Sequence, residues 1–168
     1  MTESDRRYPY FERKRLRVKL SPSYSGLPHP TYETSGSSGF DARACFESKQ
    51  PLILQPFSNR IAVPTGLFAE IPHGYELQVR PRSGVSLKTN LLMPNSPGTI
   101  DSDYRGEIHV ILCNMGNSPI TIYHGDRIAQ LVLCPVVRAS LEFVSDLPET
   151  ERGANGFGST GGFSFEEK

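Results

Sequence analysis

A chain of 168 residues, 37% of them apolar, can bury one substantial core but is short for two comfortable domains. Lys+Arg and Asp+Glu balance at 18 each, which excludes a global attraction to nucleic acid or an anionic membrane. No apolar run approaches membrane-spanning length and no signal-peptide core opens the chain, so the expectation is a soluble, cytoplasmic protein, or a nuclear one in a eukaryotic or viral setting.

Taken in order, the informative segments are extended. The basic start, 1–14, leads into Arg15-Leu16-Arg17-Val18-Lys19-Leu20, which alternates like a half-buried strand with a solvated charged face. A proline-containing stretch, 21–34, follows; it suggests no function by itself. Ser35 to Gly39 is a loop running into the strand-like Phe40 to Phe46. Leu52–Leu54, Arg60–Glu70, Tyr75–Arg80, Gly106–Cys113, Ile120–Tyr123 and Ile128–Val137 are rich in β-branched and aromatic residues and are bounded by Pro, Gly or Asn turns. A single short helix is expected around Gly84–Thr89. The pattern predicts an all-β barrel, sandwich or jelly roll over residues 1–147, with 148–168 as a tail. Cys45, Cys113 and Cys134 are odd in number and sit in apolar surroundings, so buried free thiols are expected, and the histidines show no metal-ligand spacing.

Several loops carry chemistry. Pro81-Arg82-Ser83-Gly84 offers a guanidinium fork, a hydroxyl and a tight turn to a phosphate; the alternative is a surface turn with a solvated arginine. Gly98-Thr99-Ile100-Asp101-Ser102-Asp103-Tyr104-Arg105-Gly106 places two carboxylates and an aromatic ring between glycines. A carboxylate there could activate water, or both could merely satisfy turn amides. In Gly125-Asp126-Arg127-Ile128-Ala129-Gln130 the two charges are expected to pair locally, while Gln130 needs a partner within an apolar run. Asp41, at a strand start, is a candidate site residue or a turn cap.

The glycine-rich end, RGANGFGSTGG, almost fits two nucleotide fingerprints, yet only seven residues follow Gly161 and both fingerprints need a helix there. On composition alone the segment reads as a flexible Gly/Ser-rich tail; Arg152 and Phe157 suit the alternative, a segment that orders over a nucleotide, with a cation for phosphate and an aromatic face for a base.

GFDARA, PRSG, GTIDSDYRG, GDRIAQLV and RGANGFGSTG, in that order, resemble the motifs of the homotrimeric dUTP pyrophosphatases (dUTPases), from about Val18 to Gly161. The resemblance implies a distorted, jelly-roll-like β-barrel and a trimer whose active sites are lined by loops of two subunits and closed by the tail of the third. It implies hydrolysis of dUTP to dUMP and pyrophosphate with Mg²⁺, which keeps uracil out of DNA and supplies dUMP for thymidylate synthesis. It assigns Asp101 to activation of the attacking water and Tyr104 to packing on the deoxyribose. Asn95, Gly98 and Ile100, on a hairpin from about Leu91 to Tyr104, would read uracil. Arg82, Ser83, Gly84 and Gln130 would hold phosphates, with Asp41 reaching the metal through water and no direct protein ligand. Arg152, Ser159 and Thr160 would hold the terminal phosphate, with Phe157 and Gly158 over the base. Ser38 and Arg43 in the first motif, and Ala154-Asn155 in the fifth, depart from the usual pattern without touching these roles, and an Arg43 directed at the trimer axis would alter packing there.

Two rivals share the fold. A dCTP deaminase would need its glutamate where this chain has Ile111, and an aliphatic side chain cannot transfer that proton. A non-catalytic nucleotide-sensing protein is the alternative reading.

Overall fold

The computed structural model describes residues 14–156. Among the described residues there are eleven short strands, a 3-10 turn at Pro22–Tyr24 and one short α-helix. The strands and the helix are β1 (Arg17–Leu20), β2 (Phe40–Arg43), β3 (Leu52–Leu54), β4 (Ile61–Pro64), β5 (Leu67–Glu70), β6 (Tyr75–Arg80), α1 (Ser83–Lys88), β7 (Leu91–Leu92), β8 (Gly98–Ile100), β9 (His109–Asn114), β10 (Ile120–Ile122) and β11 (Arg127–Pro135). All pairings are antiparallel, in sheets ordered β1-β5, β10-β3, β2-β11-β6-β8 and β4-β9-β7. The sheets contribute alternate residues to one shared core, among them Phe40 and Ala42, Val63, Leu67 and Ala69, Leu77 and Val79, Val110 and Leu112, Ile122, and Leu131. This is the jelly-roll-like, all-β architecture expected.

Three expectations need correction. Arg60–Glu70 is two strands, because Gly66 takes φ +68° between them, a conformation that a side chain would strain. There the chain turns on Thr65, whose buried hydroxyl donates to the Ile108 carbonyl (2.6 Å), while the Glu107 carboxylate accepts from the Gly66 amide (2.7 Å). The stretch Leu91–Tyr104 is not a self-paired hairpin: β7 pairs with β9, and β8 pairs with β6. Cys45 and Cys113 are buried free thiols, but Cys134 is only half-buried, near the end of β11, where it accepts from Arg80 Nη2 (3.4 Å). Burial pushes the Cys45 thiol above its ordinary range, opposed by a hydrogen bond with Ser21.

The solvated face expected of β1 is present: Arg17 pairs across the strands with Glu70 (3.0 Å), and Lys19 lies over the Phe68 ring (4.6 Å). The chain divides into two compact units, one ending at Val137 and the other beginning at Arg138.

Candidate active site

The β2-β11-β6-β8 sheet places nearly all the candidate residues of the first unit. Gln130 stands opposite Asp41 on one side and opposite Arg80 on the other. Directly opposed residues share a face, and their neighbours Ala42, Leu131 and Val79 are buried, so Asp41, Gln130 and Arg80 lie on the face away from the core. Arg82 lies two residues beyond Arg80, in extended backbone, and caps the start of α1.

The result is a tied polar cluster. Arg82 Nε donates to Asp41 Oδ1 at 2.7 Å, with side-chain exposures of 27% and 13%. Arg127 Nη1 lies 3.3 Å from Asp41 Oδ2 and 3.5 Å from Glu33 Oε1. Gln130 Nε2 donates to the Pro81 carbonyl (2.9 Å), which fixes the strap just before Arg82. Asp41, Arg82, Ser83, Gly84 and Gln130, with Glu33 and the 37–39 loop, line a cleft of about 270 Å³. A Cβ on Gly84 would meet nothing within 4 Å.

Three of the milder readings fall here. Arg82 is not a solvated surface arginine, Asp41 is not a turn cap, and Asp126 and Arg127 do not pair with each other. Asp126 Oδ2 instead accepts from the Tyr123 amide (2.7 Å), closing the turn before β11, while Arg127 enters the strand and turns to Asp41. Glu33 and Arg127 are site residues that sequence reasoning missed. Nothing local marks Glu33, since its partner is 94 residues away.

The other candidates lie elsewhere. Register pairs Gly98 with Val79 and Ile100 with Leu77, so Asp101 comes level with Glu76, at the opposite end of β6 from Arg82. Six residues separate those levels, roughly 20 Å of extended chain. β8 is the edge strand of its sheet, so the outer N–H and C=O groups of Gly98–Ile100 have no neighbouring strand among the described residues. Asn95 is exposed beside this edge, where a Cβ on Gly98 would come 3.1 Å from its Nδ2.

The 101–106 turn is held without its carboxylates. The Tyr104 amide donates to the Asp101 carbonyl (3.1 Å), and Arg105 Nη1 donates to the Ser102 and Tyr104 carbonyls (2.7 and 2.9 Å). The Tyr104 hydroxyl donates to the Glu107 carbonyl (2.9 Å), which lays the ring over Gly106; a Cβ there would overlap it. No described residue of this chain bonds the Asp101 or Asp103 carboxylate, so the turn-amide explanation for these aspartates fails too.

Of the tail, Arg152 is exposed and its Nε donates to the Asn155 carbonyl (3.1 Å), closing a small turn. Phe157, Gly158, Ser159 and Thr160 lie outside the described residues. Among the described residues no three His, Cys, Asp or Glu side chains gather to cage a metal.

Comparison with known proteins follows the same residues. The dUTPase family model matches residues 26–161. The deoxyuridine 5'-triphosphate nucleotidohydrolase of Bdellovibrio bacteriovorus is 54% identical over 146 residues, 87% of this chain and 95% of that protein. Its counterpart in Roseobacter denitrificans is 54% identical over 139 residues, 82% and 90% of the two chains. Among solved structures, the Staphylococcus bacteriophage 80alpha dUTPase with dUpNHpp matches with a TM-score of 0.76 at 26% identity, covering 89% of this chain and 99% of that one.

Proposed function

The chain belongs to the dUTPase family and hydrolyses dUTP to dUMP and pyrophosphate, and from that premise we propose that each active site joins the two ends of β6 from different copies of a homotrimer. The observation that carries this is the separation of Arg82 from Asp101 along β6. A phosphate held in the Arg82 cleft of one chain stands far outside the reach of a water held by that chain's own Asp101, because proton abstraction needs contact at about 2.6–3.2 Å or one intervening water. A neighbouring copy can bring its Asp101 loop to the cleft.

In the assembled site Arg82, Ser83, Gly84 and Gln130 of one copy hold the phosphates. Asp41 keeps the Arg82 guanidinium in place through Nε, leaving its terminal nitrogens for phosphate oxygens. The neighbour's Asp101, with no partner among the described residues of its own chain to displace, orients and deprotonates the water that attacks the α-phosphorus. Its bare β8 edge and Asn95 read uracil by backbone and amide hydrogen bonds, a recognition that rejects a mispaired base strongly because buried polar groups would be left unmatched. The Tyr104 ring, fixed by its hydroxyl, packs on the deoxyribose and leaves no room for a 2′-hydroxyl. A third copy contributes its tail: Arg152, Ser159 and Thr160 on the terminal phosphate, Phe157 and Gly158 over the base. No observation favours the non-catalytic alternative.

The donor set suits magnesium. Both Asp41 oxygens already accept from arginines and no carboxylate cage exists among the described residues, which fits a cation that keeps its waters and arrives on the phosphates. Asp41 would hold it through water, and when bound it supplies charge neutralisation at the departing pyrophosphate.

Subunit complementation tests the shared site. Arg82→Ala and Asp101→Ala are each expected to be inactive as homotrimers. Random co-assembly restores about one site in four, since each working site takes its Arg82 from one variant and its Asp101 from the other. A co-assembled mixture as inactive as its parents would place the whole site in one chain and sink the proposal.

A further inference from the structure

The loop 21–39 is built firmly. Pro22–Tyr24 forms a 3-10 turn, the Tyr24 ring is buried, and its hydroxyl donates to the Pro28 carbonyl (3.2 Å). The Tyr32 ring stands edge-on to Phe40 at 5.7 Å, and Ser37 Oγ bonds both the amide and the hydroxyl of Thr34 (3.1 and 2.9 Å). Glu33 lies between these last two fixed points. It is thereby carried to the wall of the phosphate cleft, beside the arginine that also holds Asp41.

Charge is the consequence. A cleft built only to capture a polyanion gains from every uncompensated cation. Here Arg82 and Arg127 face Asp41 and Glu33, two positive charges against two negative, and Arg127 Nη1 is shared between the two carboxylates. Glu33 therefore cancels the attraction that Arg127 would otherwise offer. We propose that Glu33 makes the cleft select the magnesium-neutralised triphosphate over the metal-free anion, an inference that rests on the cleft's assignment to the triphosphate. The free anion meets no net positive charge in this quartet and is repelled by Glu33. A triphosphate carrying a divalent cation brings less negative charge and presents bound water to the carboxylates. Glu33 is thus a specificity-determining residue that acts through charge, without taking part in the chemical step.

The test is calorimetric binding of inorganic tripolyphosphate and of dUpNHpp, each with Mg²⁺ and with EDTA, to the wild-type protein, Glu33→Gln, Glu33→Lys and Arg82→Ala. Removing the Glu33 charge should tighten metal-free binding by about three- to tenfold while leaving the magnesium complex unchanged or weaker; the groups are part-exposed and screened, so no larger effect is expected. Glu33→Lys should widen the change, and added KCl should shrink it, which a merely structural role for Glu33 would not produce. Ratios of metal-free to magnesium-bound affinity that stay within about twofold of wild type in both variants would overturn the inference while leaving the cleft's assignment intact. If Arg82→Ala binds tripolyphosphate as wild type does, the cleft's assignment itself fails, and the inference with it.

Discussion

At its carboxyl end β6 runs into a cluster in which the charged side chains are tied to one another; at its amino end lies a loop whose carboxylates are bare among the described residues. Arg82, Asp41, Arg127 and Glu33 form a continuous set of ion pairs, and Gln130 pins the strap between β6 and α1. Across the sheet, the 101–106 turn is held by backbone, Arg105 and the Tyr104 hydroxyl, and Asp101 is left over. On the proposed roles, the contrast follows from what each end must do. A phosphate binder works by fixed direction, so its arginine has to be held before the ligand arrives. A general base works by an available lone pair, and every hydrogen bond it already accepts would weaken it. The tied end contributes to stability and binding together, whereas the Asp101 carboxylate at the other end contributes to neither through any hydrogen bond among the described residues.

Asp101→Ala is the sharpest way to break that contrast. Pyrophosphate release from dUTP should fall by about 10²- to 10⁴-fold. Affinity for dUpNHpp should change little, and unfolding stability should move by no more than about 0.5 kcal/mol, because an exposed carboxylate with no partner among the described residues is being removed. Assaying dCTP, dTTP and UTP beside dUTP sets the selectivity of the wild type on the same scale. A large loss of stability in this variant would mean that the loop depends on the Asp101 side chain in a way its hydrogen bonds do not indicate.

Arg82→Ala probes the opposite end and should do both kinds of damage. It leaves Asp41, little exposed, with only the longer contact to Arg127, at a stability cost of about 1–3 kcal/mol, read by chemical denaturation. Affinity for dUpNHpp should fall by about tenfold or more, since a charge-assisted phosphate contact is lost. Arg82→Lys should not restore either property, because a lysine has no Nε to hold Asp41 while offering a second pair of donors to phosphate. Full rescue by lysine would reduce Arg82 to a point charge and remove the distinction between held and free groups.

Much of this was legible in the sequence, and for a definable reason. β3 and β6 fall on their expected residues, and β10 within one, because β-branched and aromatic runs end at turn-formers, which are local signals. The order of the motifs singles out Arg82, Asp101, Tyr104 and Gln130 as candidates. What could not be read is anything decided by pairing register. Whether Asp101 lies beside Arg82 or a strand's length away depends on β8 pairing with β6 so that Ile100 meets Leu77, and no local pattern states that. Arg127 looked like the partner of adjacent Asp126 until the turn claimed Asp126 for the Tyr123 amide and β11 delivered Arg127 to Asp41. Glu33 reaches the cleft only because its loop is anchored at Tyr32–Phe40 and Thr34–Ser37.

The smallest effect divides the bare end itself into ring and hydroxyl. Tyr104→Phe removes the bond to the Glu107 carbonyl and keeps the ring, so stability should drop by about 0.5–1.5 kcal/mol. If the ring alone excludes a ribose, the preference for dUTP over UTP should survive almost intact. Gly106→Ala is the complementary change: it keeps the hydroxyl but puts a methyl group where the ring now lies, so the ring must move off its seat. That variant should lose selectivity between dUTP and UTP, measured as the ratio of kcat/KM values, at a comparable cost in stability. Equal selectivity in both variants would show that sugar discrimination does not depend on where the Tyr104 ring is held, and the fixed-ring account of this end of β6 would have to be given up.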